Sequence, residues 1–219
     1  MNLHRNIHFP VVRVSGVIPI ILMGSFLLEI GLAMLSPIFA IFVSNDIENG
    51  SVEVVGFSLA LFWITKSLLQ LPIARYVDKN HGEIDDYYFL VSGMIASSFT
   101  LFGFSLAAEV WQVYVLHILL GASTAMFVPP FYAMFTRHID KGNESFEWSL
   151  YSSFALGGGS ALGGALGGIF VGAFWFRNVF VIASIFNFAA AIVLLLMKPY
   201  IIPKSIHPVE RMPMEQRKI

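Results

Sequence analysis

The chain has 219 residues, of which 57% are hydrophobic and only 12% are charged. Soluble domains carry about 25% charged residues, so a chain of this length has more apolar surface than one aqueous core would hide. The formal net charge of −1 gives no electrostatic signal for nucleic acid, and the absence of cysteine excludes disulfides and thiol chemistry.

Six apolar stretches reach the roughly 20 residues that a helix needs to cross a bilayer. They lack the alternation of polar and apolar residues that is typical of membrane-barrel strands, so helices are expected. A cleaved signal peptide is the alternative for the first stretch, but that stretch is too long and no small-residue cleavage site follows it. The predicted spans 1 to 6 cover about residues 16–43, 54–75, 88–108, 111–135, 148–174 and 178–198, between an N-terminal segment 1–15 and a polar tail 199–219.

Lysine and arginine accumulate on one side of this arrangement. If the N-terminus is cytoplasmic, only Arg177 falls on the outer side, and Lys66 lies within the membrane. Because basic residues favour cytoplasmic loops, this pattern predicts that both termini are cytoplasmic. The eleven cytoplasmic residues are Arg5, Arg13, Arg75, Lys79, Arg137, Lys141, Lys198, Lys204, Arg211, Arg217 and Lys218.

Spans 1 and 2 each carry one charge near mid-membrane, Glu29 and Lys66, and Gln70 shares a helix face with Lys66. A charge at the bilayer centre costs about 2.5–3.5 kcal/mol on insertion scales, so we expect Glu29 and Lys66 to approach each other or to share one polar cavity. Three interpretations are open: a structural ion pair, a role in proton coupling or substrate binding, and snorkelling of the side chains. In the second, Glu29 binds a proton in one conformation and releases it in another, because burial favours the neutral carboxyl group and a nearby ammonium favours the ionised form.

Two further polar residues interrupt apolar spans, His117 in span 4 and Asn187 in span 6. Each either forms a structural hydrogen bond between helices or lines a transport path. No Asp, Glu or Cys accompanies His117 in its span, so no metal site is predicted. No cofactor is predicted either.

Span 5 contains two adjoining series of glycines at intervals of four residues, which leave one broad helix face without side chains. In a membrane, small residues allow helix backbones to approach closely. The sequence therefore predicts a helix-packing surface, serving either general close packing or a transporter signature. The two series are Gly159, Gly163 and Gly167, and Gly164, Gly168 and Gly172.

The segment GSALGGALGG, residues 159–168, resembles the fifth-helix signature GxxxGPxxGG of the major facilitator superfamily, with Gly164 in place of the proline. The following FWFRNVF resembles the Trp-Arg-x-x-Phe pattern at the start of that family's sixth helix. In span 4, HILLGASTA resembles the family's RxxxGxxxA pattern, with His117 in place of the arginine and with Gly121 and Ala125 kept.

The segment ARYVDKNHGE after span 2 resembles the family's loop signature GxxxD[RK]xG[RK][RK]. Asp78 and Lys79 match, Ala74 replaces the first glycine, Gly82 comes one residue late, and acidic residues follow where bases are expected. The resemblance implies that Arg75, Asp78 and Lys79 belong to a gating loop that acts as a latch in the outward-open arrangement. A solvated run of charges is the alternative.

The resemblance implies an all-α membrane protein with six transmembrane helices, one half of a major facilitator-type fold, in the cell membrane. It implies a secondary transporter of a small solute, with coupling to protons and efflux suggested by the fifth-helix signature. Since that family builds its path between two six-helix halves, the chain is expected to need a second half, either itself or a separate chain. A truncated or accessory membrane protein with a structural role is the alternative, and no motif indicates an enzyme.

Overall fold

The structure is a computed structural model that describes residues 16–79, 83–173 and 175–201. The N-terminal segment 1–15, the greater part of the predicted tail and Gly82 of the loop signature lie outside the described residues. Within the described ranges, six helices are long and apolar enough to cross a membrane. The predicted all-α fold with six spans is therefore confirmed.

Four of the spans are single α-helices, whereas spans 1 and 5 are composite. Span 1 ends at Leu35 and resumes as a short helix after Pro37, because proline lacks an N–H group and clashes with the preceding turn of a helix. Span 5 changes from α-helix to π-helix and back. The bounds are Val17–Leu35 and Phe39–Asp46 for span 1, Val52–Lys79 for span 2, Ile84–Leu106 for span 3, Val110–His138 for span 4, Glu144–Leu150, Tyr151–Gly158 and Gly159–Ala173 for span 5, and Phe176–Leu195 for span 6.

Spans 1, 3, 4 and 6 form a ring. Span 4 packs along span 3, span 3 along span 6, and span 6 along span 1, while spans 1 and 4 touch only over a short stretch. Span 2 packs on the outside of span 4, and span 5 packs on the outside of span 1. The two outer spans therefore flank the one loose contact of the ring.

The two outer spans are less buried than the four spans of the ring. In the most apolar part of each helix, 11% of the residues of span 2 and 22% of those of span 5 are buried, against 44% to 56% in the other four spans. Large apolar side chains of span 2, such as Leu68 and Leu71, are about 70% exposed. Spans 2 and 5 thus present apolar surface that the bundle itself does not cover.

The apolar core consists of two clusters, one toward each end of the bundle, with polar residues between them. Span 1 contributes Ile18 and Leu22 to one cluster and Ile30 and Met34 to the other. Each of spans 1, 3, 4 and 6 carries polar side chains at the depth where the two clusters meet. They include Ser25 and Glu29 in span 1, Ser97 in span 3, Thr124 in span 4, and Ser184 and Asn187 in span 6.

The two glycine series of span 5 have different surroundings. Gly163 and Gly167 lie against the backbone of span 1, where a methyl group on Gly163 would come within 2.8 Å of the Cβ atom of Ala33. A methyl group on Gly164 or Gly168 would meet nothing within 4 Å. One series therefore forms the contact with span 1, and the other is open.

We expect Gly163→Ala to lower the free energy of unfolding of the purified protein in detergent by about 1–3 kcal/mol, because the added methyl group overpacks the contact with span 1. The thermal unfolding temperature should fall accordingly. The neighbouring variant Gly164→Ala is the matched control and should be neutral, since its methyl group enters open space. Equal melting temperatures for the two variants would contradict this assignment of the glycine faces.

Candidate functional site

A cavity of about 280 Å³ lies at the loose contact between spans 1 and 4. Spans 2, 3 and 5 complete its walls. Glu29 and Lys66 both line it, together with six aromatic side chains. The other polar lining residues are Ser25, Ser97, Thr124, Tyr132 and Tyr151.

Glu29 is held by span 5. Its Oε1 atom accepts a hydrogen bond of 2.5 Å from the hydroxyl group of Ser160. The preceding residue, Gly159, makes room for the acid, since a methyl group there would lie 2.7 Å from the Cβ atom of Glu29. The glycine face of span 5 therefore positions the carboxylate as well as packing the helices.

Lys66 reaches the same cavity from span 2. Its Nζ atom lies 4.5 Å from the centre of the Trp63 ring, a cation–π contact. Gly121 of span 4 allows span 2 to approach at this level, because a methyl group on Gly121 would lie 2.6 Å from the carbonyl oxygen of Phe62. Close packing at a glycine thus accompanies each of the two charged residues.

Glu29 and Lys66 share the cavity without forming a salt bridge. Among the described residues, neither has an ion-pair partner. The hydroxyl group of Ser160 and the ring of Trp63 are the side-chain groups that contact their charges. Two opposite charges therefore face one cavity, each with a neutral neighbour.

Asn187 lies behind the cavity wall. Its Nδ2 atom donates a hydrogen bond of 2.6 Å to the hydroxyl group of Ser97, which lines the cavity. The Asn187 side chain is fully buried, and its Oδ1 atom has no hydrogen-bond partner among the described residues. Asn187 thus links span 6 to span 3 and orients a polar group of the wall.

The structure separates the remaining predicted pathway residues from this cavity. His117 lines a different cavity of about 420 Å³ nearer the Pro37 end of the bundle, and its Nδ1 atom lies 3.0 Å from the carbonyl oxygen of Val113. Gln70 is half-buried and lines neither cavity. The sequence left His117 open between a path residue and a structural hydrogen bond, and it placed Gln70 on the face of Lys66.

The gating-loop residues lie on a helix. Span 2 continues to Lys79, beyond the predicted end at 75, so Arg75, Asp78 and Lys79 occupy its last turns and are exposed. The helical hydrogen bonds continue because the last turns contain only helix-compatible residues, and the glycine of the signature comes later.

An ion-pair cluster at this end of the bundle was not expected from the sequence. Asp86, at the start of span 3, is completely buried and pairs with Arg137 at the end of span 4, and Glu83 lies 3.6 Å from His138. The acids that depart from the family signature thus bind the base-rich end of span 4. The sequence feature that could have predicted this pairing is the presence of acids at the start of span 3 and bases at the adjoining end of span 4.

Arg177, the one basic residue expected on the outer side, also has a structural explanation. Its guanidinium group donates hydrogen bonds to the carbonyl oxygen of Ser105, at 2.9 Å, and to that of Asp46, at 3.4 Å. Both carbonyl groups lie at helix ends, where they have no partner within the helix.

A π-helical stretch, Tyr151–Gly158, was also missed by sequence analysis. Its residues Tyr151 and Leu156 line the cavity, and it leads directly into Gly159 and Ser160. Isolated π-helical turns are common at functional sites. Within the described residues, no group of three or more His, Cys, Asp or Glu side chains is arranged to hold a metal ion.

Known proteins share this architecture. The family model of the Major Facilitator Superfamily matches residues 21–215. A proton-coupled antiporter flippase, LtaA, of Staphylococcus saprophyticus subsp. saprophyticus is 23% identical over 148 residues, which is 67% of this chain and 36% of that protein.

The crystal structure of the POT family transporter PepTSo has the same fold, with a TM-score of 0.73 at 15% sequence identity. The match covers 90% of this chain and 40% of that chain. The chain thus spans less than half the length of either protein.

Proposed function

The chain belongs to the major facilitator superfamily, and from this premise we propose that it is a secondary transporter that moves a small solute, coupled to protons, through the cavity between spans 1 and 4. It is a multi-pass membrane protein. The observation that carries the proposal is the presence of Glu29 and Lys66 on the wall of one cavity. Charged residues within membrane spans are rare and costly, and many of them lie on ion and substrate pathways.

Glu29 is the proposed proton carrier. Its carboxyl group contacts a residue of span 5, while its own helix belongs to the ring, so any movement of span 5 along span 1 changes its surroundings. A carboxyl group that loses a hydrogen bond to its charged form, or becomes more buried, gains affinity for its proton. Movement of span 5 would therefore couple to proton uptake and release.

We expect Glu29→Gln to abolish proton-driven solute flux in liposomes, because the amide fills the same space but carries no exchangeable charge. Glu53→Gln is the matched control, since Glu53 is an exposed carboxylate in the first turn of span 2. Both variants should insert and melt like the unmodified protein. Unchanged proton-dependent flux in Glu29→Gln would remove Glu29 from the mechanism.

We further propose that a second six-helix unit covers spans 2 and 5. The exposed apolar surface of these spans and the open glycine series of span 5 support a close helix contact on this side. The relatives are more than twice as long as the matched region, which fits a path built between two halves. The exposed Arg75, Asp78 and Lys79 would then contact the second unit as the gate.

Gly168→Phe should prevent this association, because the added phenyl group would separate span 5 from the second unit. The fold of the chain should remain intact, since a methyl group on Gly168 meets nothing within 4 Å. Native mass measurement in mild detergent would show a six-helix mass for the variant and a larger mass for the unmodified protein with its second unit. Ile185→Phe, at an outward-facing position of span 6, is the control and should keep the larger mass. The second unit is a second copy of this chain or a separate chain.

The end of the bundle that carries Arg75, Lys79 and Arg137 is proposed to face the cytoplasm, on the basis of the lysine and arginine distribution. Because the sequence contains no cysteine, a single cysteine at Lys141 reports the orientation without further changes. An impermeant maleimide should label it only after the cells are permeabilised. Labelling of intact cells would contradict this orientation and place Lys141 on the outer side.

A further inference from the structure

The cavity at His117 adjoins the cavity at Glu29 and Lys66. Leu32 of span 1 and Leu120 of span 4 line both. These two side chains lie between the cavities, so a ligand that occupies both must extend past them. We call the two spaces the charged cavity and the His117 cavity.

The two cavities have different chemistry. The charged cavity carries an acid, a base and several hydroxyl groups. In the His117 cavity, Ser36 and His117 are the polar members of a lining of twelve residues. The ring of His117 is itself covered by Phe39 and Phe104, with ring centres 4.9 and 5.0 Å away. The volume of about 420 Å³ therefore favours an apolar group.

The His117 cavity owes its position to the break in span 1. Leu35, Ser36, Phe39 and Ala40 surround Pro37, and all four line the cavity. Since the helix ends at Leu35 and resumes at Phe39, the chain leaves space there between spans 1, 2 and 4. The break thus places an apolar cavity beside the charged cavity.

The charged cavity in turn favours a ligand with both signs of charge. A charge within the membrane is costly unless it is paired, and Glu29 and Lys66 have no ion-pair partner among the described residues. A zwitterion would pair with both at once and add no net charge. A ligand with a single charge would leave one of them unpaired.

We propose that the transported solute is an amphipathic zwitterion, whose charged groups bind between Glu29 and Lys66 and whose apolar chain extends past Leu32 and Leu120 into the His117 cavity. This inference rests on the proposed function, because it names the class of solute for the same path. It adds the His117 cavity as the subsite for the apolar chain.

The test uses straight-chain α-amino acids from alanine to 2-aminooctanoic acid as probes, since each is a zwitterion at neutral pH and they differ only in methylene groups. Binding to the full chain in lipid nanodiscs is read from thermal stabilisation. The dissociation constant should fall about fourfold with each added methylene group until the cavity is full. Alkanoic acids of equal chain length, which lack the ammonium group, should bind more weakly.

Two variants reduce the His117 cavity from different walls, Ala40→Trp and Val55→Phe. Each should remove the dependence on chain length while leaving the binding of alanine unchanged, and the second keeps the test available if the first does not fold. Ile185→Trp, on the outer face of span 6, is the control and should preserve the dependence.

Three results would overturn the inference: no binding of any amino acid, dissociation constants that do not change with chain length, or a dependence that survives both cavity-filling variants. Binding is measured without a proton gradient. Loss of proton-driven flux alone would therefore count against the proposed function and not against the solute class.

Discussion

The close approach of span 5 to span 1 is the contact on which the site depends. Gly159, Gly163 and Gly167 bring the two backbones together, and Gly159 leaves the space in which Glu29 extends to Ser160. In a bilayer, apolar side chains gain little by leaving lipid for another helix, so backbone proximity and hydrogen bonds hold the bundle together. The same glycines therefore serve packing and chemistry. Gly121 likewise allows span 4 to pack closely against the backbone of span 2 at Phe62 and Lys66.

The bundle divides into two apolar clusters with a polar layer between them. Apolar packing at both ends stabilises the ring, and the polar groups at mid-depth gain partners from neighbouring spans, as Asn187 does from Ser97. Glu29 and Lys66 differ from that pattern, because each keeps a charge directed to the cavity with a neutral neighbour. This difference is the physical reason for proposing that Glu29 and Lys66 take part in transport and that Asn187 supports the wall.

The distribution of burial is the structural basis for the proposed second unit. The buried share of residues is lowest in spans 2 and 5, beside the cavity, and this is the surface that the proposed second unit would cover. The ion pair of Asp86 and Arg137 instead stabilises the ring at one end without involving that surface. The fold shared with PepTSo at 15% identity shows the architecture; the proposed class of solute rests on the side chains of this chain.

The sequence by itself determined the six spans, because uncharged runs of about 20 residues satisfy their backbone hydrogen bonds in lipid only as helices. It also indicated Glu29 and Lys66, since isolated charges in such runs are rare. It did not determine which glycine series packs, because Gly163 and Gly164 belong to series of equal spacing on adjoining faces. The tertiary structure decided that choice, placed His117 in a separate cavity, and paired Asp86 with Arg137. Each of these depends on the rotation of one helix against another, which the pattern within a single helix does not specify.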